Sequence, residues 1–132
     1  MICLDTNIIA YFVEENANYG PAAKQLLQKL HEEKKQTALT FLSHAELLVK
    51  PIKENNEELT EFYVGMPGFF KMKILYPAAD TSILTAKLRA KYGLSMPDAL
   101  NLAIAIGNKC AGFVTNDLVL KKVSEIKIIL LK

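Results

Sequence analysis

The first seven residues, Met1-Ile2-Cys3-Leu4-Asp5-Thr6-Asn7, decide how this chain is read. Four apolar residues including a β-branched one form a short buried strand, and the polar triplet Asp5-Thr6-Asn7 stops it. The same triplet starts a helix, because Ile8, Ile9, Phe12 and Val13 follow at helical spacing. A strand feeding directly into a helix is the opening of an α/β fold, and it leaves a carboxylate at the junction.

The rest of the chain repeats the alternation. A second amphipathic helix is expected from about Ala22 to Glu33, with Pro21 suited to its first turn. A strand over Thr37 to Leu42 leads into Ser43-His44-Ala45-Glu46, whose spacing is that of a capping box, and Pro51 marks the expected end of that helix. Asn55 to Val64 reads as another helix broken by Gly65 to Gly68, and Lys73 to Tyr76 as a third strand. Asp80-Thr81 opens a helix that Gly93 ends, and Ser95-Met96-Pro97-Asp98 starts the most apolar one, Ala99 to Ile106. Strands over Gly112 to Thr115 and Ile126 to Leu131 flank a short helix from Asp117 to Val123. The expected fold is α/β: a single domain over residues 1–132, with a mostly parallel sheet of four to five strands covered by helices on both faces.

Composition sets the bounds. A chain of 132 residues buries enough surface to fold without disulfides or structural zinc. Its hydrophobic share of 51% is slightly high, as a filled parallel core or a surface shared with a partner would each make it. A net charge of +2 neither announces nucleic-acid binding nor excludes it, and Arg89 is the single arginine, so phosphate contacts would rest mostly on lysines. Clusters at Lys87, Arg89 and Lys91 and at Lys121 and Lys122 are the candidates for such backbone contacts, with a solvated helix face as the ordinary alternative. Cys3 and Cys110 have no metal-ligand spacing and read as buried free thiols of a reducing compartment. With no signal-peptide region and no apolar run near membrane-spanning length, the expected location is cytoplasmic.

Chemistry enters through Asp5, Glu46, Asp98 and Asp117. In an open parallel sheet the ligand crevice lies outside the carboxyl ends of the strands, where Asp5 and Asp117 follow strands and Glu46 and Asp98 stand in the first turns of helices. Each acid alone has an ordinary role at a helix start, and Asp80 has only that role. Asp5-Thr6-Asn7 and Thr115-Asn116-Asp117, however, place the same trio of acid, hydroxyl and amide at two strand ends. Four gathered carboxylates repel one another unless a cation joins them. All-oxygen donors suit Mg²⁺ or Mn²⁺, one or two ions, whereas zinc would want the His or Cys ligands that neither His31 nor His44 is placed to supply. Such a site activates water for phosphodiester hydrolysis. Thr6, Asn7, Ser43, Thr115 and Asn116 would orient the acids or their waters. A phosphatase using an aspartyl nucleophile is excluded, since it needs a second Asp where Asn7 stands.

These residues resemble the PIN domain, especially the small ribonuclease toxins of VapC type. The strand and acid of Ile2-Cys3-Leu4-Asp5-Thr6-Asn7, the pair Ala45-Glu46, the run Pro97-Asp98-Ala99-Leu100 and Val114-Thr115-Asn116-Asp117 are similar to the family's four motifs, in order. The resemblance covers nearly the whole chain. It implies a Mg²⁺- or Mn²⁺-dependent endoribonuclease in which the four acids bind metal and Thr115 supports them. It also implies a homodimer silenced by a small antitoxin protein, with structured RNA as substrate. Asn116 stands where many relatives carry arginine. Two other readings stay open: a PIN nuclease of RNA maturation, and a non-catalytic module that binds RNA or protein.

Overall fold

Each short apolar run becomes a strand and each helical repeat a helix. The computed structural model describes residues 1–131. Among them the order is β1 (Ile2–Leu4), α1 (Thr6–Val13), α2 (Gly20–Glu32), β2 (Thr37–Thr40), α3 (Phe41–Lys53), α4 (Glu57–Phe69), β3 (Lys73–Leu75), α5 (Thr81–Tyr92), α6 (Met96–Gly107) and β4 (Gly112–Thr115). A 3-10 turn (Leu118–Lys122) and β5 (Lys127–Leu130) follow. All five strands pair in parallel in the order β3-β2-β1-β4-β5.

That order fixes where a site can form. From β1 the chain builds outward through β2 and β3 on one side, then returns to build β4 and β5 on the other. The strand order therefore reverses between β1 and β4, and such a switch point opens a crevice at the carboxyl ends of the strands. In the β1–β4 register Cys3 lies opposite Phe113 and Leu4 opposite Val114, which brings Asp5 beside Thr115.

Side chains alternate across a strand, so each face of the sheet builds its own core. Cys3, Ala38 and Phe113 pack with Leu88, Leu102 and Ile104 beneath α5 and α6. Ile2, Leu4, Leu39 and Val114 pack with Ile8, Ile9, Leu47 and Tyr63 beneath the first four helices. By the same alternation Asp5, Thr40 and Thr115 share the α6 face with Cys3, Ala38 and Phe113. Gly93 takes φ 67° after α5, a left-handed conformation that glycine adopts without steric cost.

Three expectations are corrected. First, α3 starts earlier than the Ser43 capping box: its N-cap is Thr40, whose hydroxyl accepts from the Ser43 amide at 3.0 Å. The strand end itself satisfies a free amide, so Glu46 lies in the second turn rather than the first. Second, α3 continues through Pro51 to Lys53. Third, α4 runs through Gly65, Pro67 and Gly68 to Phe69 instead of breaking there. Proline at position 67 cannot donate to the carbonyl of Tyr63 four residues earlier. His44 Nε2 lies 2.7 Å from that carbonyl, so α3 supplies the donor that α4 lacks, and burial of Met66 and Pro67 holds the helix in place.

Candidate active site

Asp5 ends β1 and caps α1. Its Oδ1 accepts from the Thr6 amide at 2.8 Å, and its Oδ2 accepts from the Thr115 hydroxyl at 2.7 Å. Thr115 is fully buried, and its hydroxyl oxygen in turn accepts from the Asp117 amide at 3.1 Å. Asp117 Oδ1 accepts from the Val119 amide at 3.0 Å, capping the 3-10 turn. One threonine hydroxyl thus joins the acid after β1 to the acid after β4.

On the β2 side, Thr6 Oγ1 lies 2.8 Å from Glu46 Oε1 and 2.9 Å from Ser43 Oγ. A hydroxyl has one proton to donate, and the carboxylate is the stronger acceptor, so Thr6 donates to Glu46. Ser43 Oγ is also 3.5 Å from Asn101 Oδ1, which accepts from the Thr40 hydroxyl. Asn101 stands one turn after Asp98 on α6 and is buried. Thr40 and Asn101 were not singled out in the sequence. The available signal was an amide inside the most apolar helix, three residues from an acid and therefore on its face.

Burial pushes the Asp5 carboxyl above the ordinary carboxylate range. The hydrogen bonds from Thr115 and Thr6 pull it back, and the charges of Asp98 and Glu46 push it up again. Glu46 is tied to the same edge through Thr6, and Asp98 stands one turn before Asn101, which bonds Thr40 at the end of β2. No basic group answers this charge: among the described residues the ion pairs are Lys50–Glu14 and Lys91–Glu125, neither involving the four acids.

The donor set is therefore oxygen-only, short of positive charge and partly desolvated, which fits a hard divalent cation. As positioned, no three His, Cys, Asp or Glu side chains among the described residues form a group close enough to hold an ion. Mg²⁺ does not require one, because it keeps several waters and usually takes one or two carboxylates.

The other expected residues divide. Asn116 Nδ2 donates to the Tyr11 hydroxyl at 3.0 Å, while Asn7 lies exposed on α1. Lys91 is held by Glu125 at 3.2 Å, and Arg89 Nε donates to the Leu94 carbonyl at 3.0 Å. Lys87, Lys121 and Lys122 are exposed. His44 serves Tyr63 and His31 lies exposed, so neither histidine joins the acids. Cys3 and Cys110 are buried free thiols.

A parallel five-stranded α/β domain with a carboxylate-lined switch point is the class these features define. The PIN domain model matches residues 2–126, and the chain belongs to the PIN domain family. No curated protein sequence matches it. Among solved structures it is similar to a chain of VapBC2 from Rickettsia felis, bound to a DNA fragment from their promoter, at TM-score 0.79 and 20% identity over 100% of both chains. A chain of FitAcB from Neisseria gonorrhoeae gives TM-score 0.77 and 19% identity over 98% of this chain and 96% of that one. The Mycobacterium tuberculosis VapC20 toxin, which cleaves the sarcin-ricin loop, gives TM-score 0.71 and 13% identity over 96% of this chain and 99% of that one. At these identities the likeness is one of fold. No helix among the described residues is long and apolar enough to cross a membrane.

Proposed function

We propose that this protein is a Mg²⁺- or Mn²⁺-dependent endoribonuclease, the toxin of a type II toxin–antitoxin pair acting in the cytoplasm. The observation that carries the reading is the Asp5–Thr115–Asp117 link at the β1–β4 switch point, with Glu46 tied to the same edge through Thr6 and no basic side chain among the described residues paired to any of the four acids. PIN family membership and the likeness to toxin structures agree with it.

Asp5, Glu46, Asp98 and Asp117 would hold the cation, one or two directly and the others through its waters, and once bound it would offset phosphate charge and make water a better nucleophile. The remaining work falls to the chain. Thr115 and the Thr6 amide fix both Asp5 oxygens, and the Thr6 hydroxyl fixes Glu46. The Asp98 carboxylate has no hydrogen-bond partner among the described residues; only its amide is engaged, by Ser95 at 3.3 Å. Its oxygens are thus free to meet the cation or one of its waters.

A protein partner fits the outer surface of α3 and α4. Val49, Ile52, Val64 and Phe69 are exposed there, Phe69 at 78%, more apolar surface than these two helices need for the core. An antitoxin segment or a second copy of the chain would cover it.

Inducing the gene in a bacterial host tests the toxin reading. Growth should stop with discrete RNA cuts, and Asp5→Asn should restore growth at equal protein level. Arrest that persists with Asp5→Asn would contradict nuclease action.

A further inference from the structure

Asn101 is only 4% exposed on α6, yet half of its amide has no partner. Its Oδ1 accepts from the Thr40 hydroxyl at the end of β2, and Ser43 Oγ lies 3.5 Å from the same oxygen. Its Nδ2 meets no acceptor among the described residues. Thr40 fixes which way round the amide sits. The Thr40 hydroxyl oxygen already accepts from the Ser43 amide at 3.0 Å, so its single proton needs an acceptor. Asn101 supplies one only with Oδ1 turned toward β2, which turns Nδ2 the other way. Every fully buried side-chain nitrogen or oxygen among the described residues has a hydrogen-bond partner, so Nδ2, which has none, keeps an opening to solvent.

Two of the acids bracket this amide. Asp98 stands three positions earlier on the same face of α6, and Ser43 Oγ leads through Thr6 Oγ1, 2.9 Å away, to Glu46. Resting on the ribonuclease reading, we propose that Asn101 is a catalytic residue whose Nδ2 donates a hydrogen bond to a non-bridging oxygen of the RNA phosphate being cleaved. Ionised carboxylates offer acceptors alone, and no lysine or arginine pairs with the four acids among the described residues. An incoming phosphate therefore needs a donor from another side chain. The Asn116 amide is taken by the Tyr11 hydroxyl, whereas the Asn101 donor is unoccupied and held in one direction. A donor fixed in advance needs no reorganisation as charge builds on the phosphate oxygens, which is how such groups accelerate a reaction. An amide that only braces the fold uses its donor, as Asn108 does on the carbonyls of Tyr76 and Ile104.

Single-turnover cleavage by Asn101→Asp and Asn101→Leu, on RNA with either non-bridging oxygen at the cut replaced by sulfur, tests this contact. Asn101→Asp keeps the shape and the acceptor for Thr40 and loses only the donor, and Asn101→Leu loses both. Both variants should keep the parent's rise in melting temperature with Mg²⁺ and cleave about 10²–10³-fold more slowly, the usual effect of removing one such donor. Thr40→Val, which leaves the Asn101 donor in place, should slow cleavage much less. Sulfur accepts hydrogen bonds weakly, so one of the two replacements should slow the parent in Mn²⁺ as much as in Mg²⁺ and leave Asn101→Asp nearly unaffected. Either variant cleaving at the parent's rate would overturn the contact, and so would sulfur effects that Mn²⁺ relieves at both positions, since those oxygens would then be held by the cation. An active parent matched by its variants overturns the contact alone, whereas a parent that cleaves no RNA overturns the ribonuclease reading and the contact with it.

Discussion

The Thr115 hydroxyl donates to Asp5 Oδ2 at 2.7 Å and accepts from the Asp117 amide at 3.1 Å, so a single buried oxygen sets the spacing of two acids 112 positions apart in the chain. Thr115→Val keeps the shape and removes both contacts. Groups that orient metal ligands typically matter by 10–100-fold, and cleavage should fall by about that much. The Asp117 amide loses its acceptor, costing roughly 1–3 kcal/mol in a urea melt. Thr115→Ser should recover most of both, and a variant with full activity would mean that Asp5 needs no orienting hydroxyl.

His44 repairs a helix it does not belong to. His44→Ala removes the donor that meets the Tyr63 carbonyl beside Pro67 and should destabilise the protein by about 1–3 kcal/mol. In a Pro67→Ala background, where the backbone can donate to that carbonyl again, the cost of His44→Ala should shrink. A double-mutant cycle by urea unfolding reads this coupling directly, and additive effects would refute it.

Alkaline stability should depend on Tyr63. Its hydroxyl donates to Glu14 Oε2 at 3.0 Å; burial first, then Glu14, pushes it well above its ordinary value of 10.0. With the folded pKa raised, the native state holds its proton where the unfolded chain has lost it. The contribution is complete below about pH 10 and declines as pH rises from there toward the folded value. Melting temperatures of Tyr63→Phe and the parent should therefore converge above about pH 10, and parallel curves through that range would count against it.

Cation binding should stabilise the fold, because it relieves carboxylate repulsion in the native state alone. At a hundredfold excess over Kd the gain is about 2.7 kcal/mol, a rise of roughly 5–10 °C in melting temperature for a domain of this size. Mg²⁺ or Mn²⁺ should produce it, and Asp98→Asn should reduce it. No shift at saturating cation would mean that the acids do not act together.

Much of this was legible beforehand, for definite physical reasons. Strand residues such as Ile2, Leu4, Phe113 and Val114 are apolar because both faces of a parallel sheet are covered, and Gly93 and Ser95 mark helix ends by backbone and capping requirements. The acids could be placed at one edge because parallel strands share a direction. Less visible were features set by partners distant in sequence. The start of α3 moved to Thr40 because a strand-end hydroxyl reached the Ser43 amide, and α4 crossed Pro67 because His44 on another helix met the open carbonyl. Asn101 escaped notice since its partners, Thr40 and Ser43, lie about 60 residues away. Aromatic contacts likewise join separate parts of the chain, Tyr11 of α1 to Tyr19 just ahead of α2, and Phe41 of α3 to Tyr76 just beyond β3.

The most direct test is cleavage of a structured RNA pool by purified protein with Mg²⁺, Mn²⁺ or EDTA, beside Asp5→Asn and Asp98→Asn, with cut positions read by sequencing. The account predicts discrete cuts that need the metal and are lost in both variants. Cuts that survive EDTA or both substitutions, or no cleavage of any RNA by the parent protein, would contradict it.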